Sequence, residues 1–197
     1  APISGEAKLL KCYVEGVITP GLVQSLTSEI RAWLDDKPTI QFIVIEINTP
    51  GGDAMAAHDL ANFIYSELKR ITTIAFIPPG GHALSAGALV AVAAGQIVMG
   101  ADSHIGAAAP VDLDGKELGE KVQSPIRNWF KTYAEERGYP TILTDAMVSK
   151  DHDEILRVRF AQPDRVRFYT RSDYNNISPE DRLQRVGEPE VILRRGE

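Results

Sequence analysis

The sequence predicts an α/β protein with a mainly parallel sheet and surrounding helices. Three observations carry that expectation. The runs QFIVIEI (41–47) and TTIAFI (72–77) are nearly continuous in apolar residues, as in parallel strands covered on both faces. Each run stops at a glycine–proline turn, NTPGGD after the first and PPGGH after the second. Segments with apolar residues at helical spacing stand between them, and strand–helix alternation of this kind implies right-handed crossovers.

The elements follow in order. LLKCYVEGVI, residues Leu9–Ile18, is rich in β-formers and reads as the first strand. GLVQSLTSEIRAWL, entered through Pro20, repeats its apolar residues at helical spacing. After the strand at 41–47, DAMAAHDLANFIYSELKR (53–70) reads as a second amphipathic helix, with Asp53 suited to the positive end of its dipole. The strand at 72–77 leads to SAGALVAVAA (85–94), a helix of small and apolar residues expected to be buried on most sides. QIVMG (96–100) makes a short strand, with one more around His104–Ala109. Residues 110–118 (PVDLDGKEL) read as a mobile loop, and EKVQSPIRNWFKTYAEERG (120–138) as a helix with a kink or a late start at Pro125.

From about Asp151 the composition changes to nine arginines and no lysine against ten acids. Alternation in DRVRFYTR (164–171) suggests an edge strand, ISPEDRLQ (177–184) a short helix and EVILRR a last strand. Residues 1–150 are thus expected to form the main domain, and 151–197 a C-terminal elaboration packed on it. The balanced signs of that tail read as a solvated face.

Composition narrows the function. At 197 residues, with 44% hydrophobic and 24% charged, the chain can bury a core and is not disordered throughout. Its 21 basic residues against 27 acidic ones give −6 and a pI near 5.3, so no nucleic-acid partner is expected. Cys12 stands alone, which excludes an internal disulfide and a cysteine zinc cage. His58, His82, His104 and His152 are scattered without metal-ligand spacing, so neither a metal nor a cofactor is expected. No apolar stretch reaches 18 residues, and the start APISGEAKLLK lacks a leader pattern. A chain that begins without Met and stops at VILRRGE is expected to be a soluble part of something longer.

Two glycine turns, Asn48-Thr49-Pro50-Gly51-Gly52 and Pro78-Pro79-Gly80-Gly81, fall at carboxyl ends of parallel strands, where ligands bind. Adjacent glycines let backbone N–H groups face a ligand unobstructed. Neither loop carries a phosphate fingerprint, and each alone reads as a structural turn. Ser85 opens the small-residue helix directly after the second turn. Serine is favoured there as a helix cap. The same position, with N–H groups of Gly52 and Ala86 at hand, also suits a nucleophile beside an oxyanion site. A nucleophile needs a base. His82 and His104 read as structural, while Lys116 and Lys121 could serve if burial lowered their pKa.

The blocks INTPGGDAMAAHDL, PPGGHALSAGALVAVAAGQIVMGADSHIGAAAPV, EKVQSPIRNWFKTYAEERG and MVSKD resemble one known family. It is the ClpP-like protease domain of NfeD-type membrane proteins, the stomatin-operon-partner proteases within the ClpP/crotonase superfamily. The resemblance runs from about Leu9 to Lys150. It implies a ClpP/crotonase-like fold of repeated β-β-α units and a serine endopeptidase with a Ser-Lys dyad. It puts the nucleophile on Ser85, the general base on Lys121 and the oxyanion donors on Gly52 and Ala86. Gly51 and Gly81 become substrate-binding backbone. It implies a polypeptide substrate, namely apolar segments of membrane-associated proteins with a stomatin-like protein among them, and a homo-oligomer. It further implies a membrane-anchored parent, with this domain on the extracytoplasmic (periplasmic or extracellular) side. Two other readings stand beside it. A crotonase-type acyl-CoA hydratase or isomerase would need a carboxylate base that neither glycine loop presents, and a non-catalytic scaffold would use Ser85 only as a cap.

Overall fold

Strands β1 (Lys8–Ile18) and β2 (Ile40–Gly52) run side by side in parallel along the centre of the computed structural model, which describes residues 8–111, 118–149, 154–161 and 165–194. On its other edge β2 pairs first with β3 (Thr72–Ile77) and then, through Thr49, with β4 (His82–Leu84). Outside these lie β5 (Gln96–Met99) beside β3 and β6 (His104–Gly106) beside β4. Every one of these pairings is parallel, giving the order β5-β3-β2-β4-β6 with β1 against β2.

Local chemistry starts the helices. The Thr19 hydroxyl accepts from Leu22 N–H at 3.2 Å and Pro20 fits the first turn, so α1 (Pro20–Asp36) begins there. The Asp53 carboxylate accepts from Ala56 N–H at 2.7 Å and caps α2 (Ala54–Asn62), which continues as one π turn, Phe63–Glu67. Helix α3 (Ala86–Ala93) is buried along its whole length, as its composition required. The core joins Val14 and Ile18 of β1, Ile43, Ile45 and Ile47 of β2, Leu60 and Ile64 around α2, and Leu89 and Val90 of α3.

Three expectations need correction. The run at 41–47 is not covered on both faces: Ile43, Ile45 and Ile47 are buried, while Phe42, Val44 and Glu46 are half-buried beside exposed Leu9 and Tyr13. Apolar residues also occupy the open face, which hides the alternation. The Asn-Thr-Pro-Gly-Gly segment is not a turn but the end of β2, with Val17 opposite Gly51 and Ile18 opposite Gly52. Helix α4 (Glu120–Arg137) has no late start, because it begins ahead of Pro125 and carries it inside. Of the expected loop, residues 112–117 lie outside the described residues.

Gly138, at φ +75°, ends α4, and α5 (Thr141–Val148), which the sequence reading lacked, follows it. The arginine ahead of that glycine ties the helices together. Arg137 donates to the carbonyls of Ala93 at 2.9 Å and Ile64 at 3.5 Å, and its guanidinium lies 5.2 Å from the Tyr65 ring centroid.

Beyond residue 150, β7 (Glu154–Phe160), β8 (Arg165–Thr170) and β9 (Glu190–Arg194) form an antiparallel sheet in the order β8-β7-β9. Leu156, Val158 and Phe160 give it a small apolar cluster of its own, with Tyr169 and Tyr174 against it. Helices α6 (Arg171–Asn175) and α7 (Pro179–Leu183) connect β8 to β9. The expected edge strand, short helix and last strand correspond to β8, α7 and β9; β7 and α6 were not anticipated.

Candidate active site

The parallel pairing of Thr49 with Ala83 joins β2 to β4, and side chains brace the end of β2 on both sides. Buried Thr49 accepts from Gly51 N–H at 3.0 Å and its hydroxyl donates to the Gly16 carbonyl. Asn48 Oδ1 accepts from His82 N–H at 3.2 Å. This fixes the end of β2 against the end of β4, where Ser85 begins. Nothing larger than glycine fits at two positions of the joint. A Cβ at Gly51 would stand 2.7 Å from Ser85 Cβ, and one at Gly52 would stand 2.2 Å from the Ile18 carbonyl oxygen.

Ser85 is held at φ +53° and ψ −118°, outside the regions open to ordinary side chains. Its N–H donates to the Gly106 carbonyl at 2.7 Å and its carbonyl accepts from Ala88 N–H at 3.0 Å. Both ends of the residue are therefore fixed by backbone. Its hydroxyl makes no capping bond, so the expectation of a simple N-cap fails. A cap needs the extended backbone that Thr19 and Asp53 adopt; the twist at Ser85 turns its hydroxyl elsewhere. The Ala86 N–H, at the first position of α3, has no acceptor within its own helix.

Ser85, Gly52 and Ala86 line one groove of about 340 Å³. Its remaining walls are apolar: Ala54 of α2, Leu89 of α3, the strip Ala108–Val111, Leu118, and Val122, Ile126, Trp129 and Phe130 of α4. That volume lies at the lower end of the range of ligand pockets and suits a few side chains rather than a folded segment. No carboxylate lines the groove among the described residues.

The sequence-derived site is only partly brought together. Lys121 is exposed on the first turn of α4 and does not line the groove, whereas its neighbour Val122 does. A step of one residue turns a helical side chain by about 100°, which carries Lys121 to the flank of the apolar stripe. Lys116 lies outside the described residues. Gly51 is buried behind Ser85, and buried Gly81 closes a turn by donating to the Pro78 carbonyl at 2.8 Å, so neither lines the groove. His82 and His104 are register partners across the β4–β6 pairing, and neither lines the groove. His58 is the unforeseen histidine. Its ring stacks on Trp129 with centroids 4.2 Å apart at 24°.

Sequence reasoning also missed the stripe of α4. Val122, Ile126 and Trp129 recur at four and three residues, a spacing that marks one helix face and could have been found.

Comparison with known proteins bears on the family and the fold. The family model of the NfeD1b N-terminal domain matches residues 11–160. The membrane-bound protease PH1510 of Pyrococcus horikoshii is 31% identical over 158 residues, covering 77% of this chain and 35% of that protein. The membrane protein NfeD1b of Bacillus subtilis is 32% identical over 151 residues, 77% of this chain and 30% of that protein. The chain therefore spans about a third of the length of the curated relatives it matches. Among solved structures, a Ser-to-Ala mutant of the 1510-N membrane-bound stomatin-specific protease superposes with a TM-score of 0.67 at 25% identity, over 75% of this chain and 72% of that one. A Lys-to-Ala mutant of the same protease, in complex with a substrate peptide, gives 0.66 at 21% identity over 90% and 78%, a likeness of fold.

Proposed function

The chain belongs to the NfeD1b N-terminal-domain family, and on that premise we propose that it is the peptide-hydrolysing domain of a membrane-bound serine protease. One observation carries the reading: a serine without a capping bond, held at a strained backbone angle at the start of a buried helix, lines an apolar groove together with Gly52 and Ala86. Strain of this kind, about 1–3 kcal/mol, persists where the surroundings over-determine it, and it concentrates at active sites.

In the proposed reaction the neutral Lys121 amine takes the Ser85 proton as Oγ attacks the peptide carbonyl. The N–H groups of Ala86 and Gly52 hold the oxyanion, each such donor being worth about 3–4 kcal/mol of barrier. The Lys121 ammonium then protonates the leaving amine. Water attacks the acyl-enzyme with Lys121 as base, and Ser85 leaves with the proton. Neutralising a lysine at pH 7 takes a fall of about three pKa units, roughly 4 kcal/mol, and a water-poor setting is one that supplies it. Lys121 is exposed in the free chain, so the dyad belongs to a state in which the first turn of α4 has turned inward over substrate.

The substrates proposed are apolar segments of membrane-associated polypeptides, a stomatin-like protein among them, in keeping with the relatives' names. The parent is proposed to be membrane-anchored and homo-oligomeric, with this domain extracytoplasmic and residues 151–197 as an elaboration packed on it. A second reading, a peptide-binding domain without catalysis, is favoured by one fact: no lysine or histidine lines the groove among the described residues.

Cleavage of casein and of apolar peptides by wild type, Ser85→Ala and Lys121→Ala, with fluorophosphonate labelling, tests both. The proposed mechanism gives loss of cleavage in both variants with native circular dichroism, and labelling that disappears in Ser85→Ala. Retained cleavage in Lys121→Ala moves the base to Lys116 or His82. Absence of both cleavage and labelling in the wild type leaves the binding domain.

A further inference from the structure

We propose that the Trp129 indole, backed by His58, is the wall that selects which apolar side chain binds beside Ser85. This rests on the groove being a peptide site, though not on its being catalytic. Two aromatic side chains line the groove, and they are held differently. Phe130 is 1% exposed and fixed in the core, whereas Trp129 is half-buried and presents part of its ring to the groove. Trp129 packs against the edge of the core, and the ring stacked on its indole among the described residues is that of His58, 4.2 Å away at 24°. His58 stands four residues after Ala54 on the same face of α2, and Ala54 is itself a groove residue. Helix α2 thus offers the groove a methyl group for room and the indole a flat ring for support. With Ala54, Ala86 and Ala108 around Ser85, the space admits a branched aliphatic side chain, and the indole stops a longer or aromatic one.

His58 acts here as a positioning residue, because it touches Trp129 rather than the ligand. Its role is held by shape, so a phenyl ring replaces it and a methyl group does not.

The probes are acetylated peptide amides of one sequence with Ala, Leu or Phe at a single central position. They are titrated into the Ser85→Ala chain, where binding is read without hydrolysis. Calorimetry gives affinities, and Trp129 emission in a Trp33→Phe background reports contact, since these are the chain's two tryptophans. The expected result is saturable binding with a change in emission, and Leu preferred over Phe by about tenfold or more. Trp129→Ala reverses the order of Leu and Phe, and Trp129→Phe shifts it part of the way, which keeps the test usable if the alanine variant does not fold. His58→Ala weakens the preference and His58→Phe restores it. An unchanged order of affinities in a natively folded Trp129 variant overturns the proposal, as does absence of saturable binding by any of the three. The chain with Ser85 intact is assayed for hydrolysis of the same peptides: binding selectivity without hydrolysis defeats the protease reading and leaves the indole wall standing.

Discussion

Ser85→Gly is expected to make the protein more stable while removing its proposed nucleophile. The backbone at Ser85, φ +53° and ψ −118°, is held by the Gly106 carbonyl on one side and Ala88 N–H on the other. An L side chain in so sparsely populated a region costs about 1–3 kcal/mol. Glycine adopts it freely but loses more chain entropy on folding, about 0.5–1 kcal/mol. The balance is about 1 kcal/mol in favour of glycine. Ser85→Ala is the right reference, because it removes the hydroxyl and keeps the Cβ that causes the strain. For a chain of this size 1 kcal/mol corresponds to about 2–4 °C in Tm. Thermal and urea unfolding followed by far-UV circular dichroism should place Ser85→Gly above Ser85→Ala by that margin. A Ser85→Gly variant no more stable than Ser85→Ala would show that the backbone is not strained there, and the main support for Ser85 as nucleophile would go with it.

Other substitutions test the joint and its frame. Gly52→Ala puts a Cβ 2.2 Å from the Ile18 carbonyl oxygen, a backbone atom that cannot yield without opening β1 from β2, at a φ of +153°. Overpacking and strain together should cost about 3–5 kcal/mol, seen as a large fall in urea midpoint. Arg137→Ala leaves the Ala93 and Ile64 carbonyls without their charged donor and should cost about 2–3 kcal/mol, with Arg137→Lys recovering part of it in the same assay. The Cys12 thiol is pushed up to about 12 by burial, with Glu29 adding to the shift. Its folded pKa lies above its unfolded value of 9.0, so its contribution to stability is complete below pH 9 and falls as pH rises toward 12, by up to about 1.4 kcal/mol per pH unit. Urea unfolding of wild type and Cys12→Ala at pH 8 and pH 10 should show the wild type losing ground at the higher pH, and a thiol reagent at pH 8 should label Cys12 only on unfolding.

What could be read from the chain follows from range. Helices α1 and α2 begin at Thr19 and Asp53, whose caps act over three residues, and the buried character of α3 is written in its own small side chains. Strand β4, three residues long, has no periodicity to detect; it exists because Asn48 and Thr49 of a distant segment hold it. The open face of β2 was misread for the complementary reason, since apolar residues outside and inside look alike in one dimension. At the proposed site, the nearness of Ser85, Gly52 and Ala86 could be read because each sits at the end of a strand or the start of a helix. Trp129 and His58 could not be paired from sequence, because their stacking depends on how α2 and α4 lie together.

The same distinction bears on how the proposed chemistry is divided. The proposed nucleophile and the proposed donors around it are held by backbone: Gly51 packs on Ser85, the Ser85 N–H is tied to β6, and the Ala86 N–H is fixed by α3. Such groups need no reorganisation when substrate arrives, which is where electrostatic stabilisation gains its size. The proposed base is the opposite case. Lys121 rides on the first turn of α4, in water, one residue from a stripe that faces the groove. Bringing its amine inward, out of water, costs free energy, and an apolar ligand burying Val122 and Ile126 has to supply it. Catalysis would then depend on how apolar the bound segment is and not only on the bond it offers. For this reason polar peptides should bind weakly and also turn over slowly once bound: kcat, not KM alone, should fall as the apolar residues of a test peptide are replaced by serine. A kcat that holds constant across such a series would mean that the base is in place before substrate arrives, and Lys121 as it stands in the free chain could not be it.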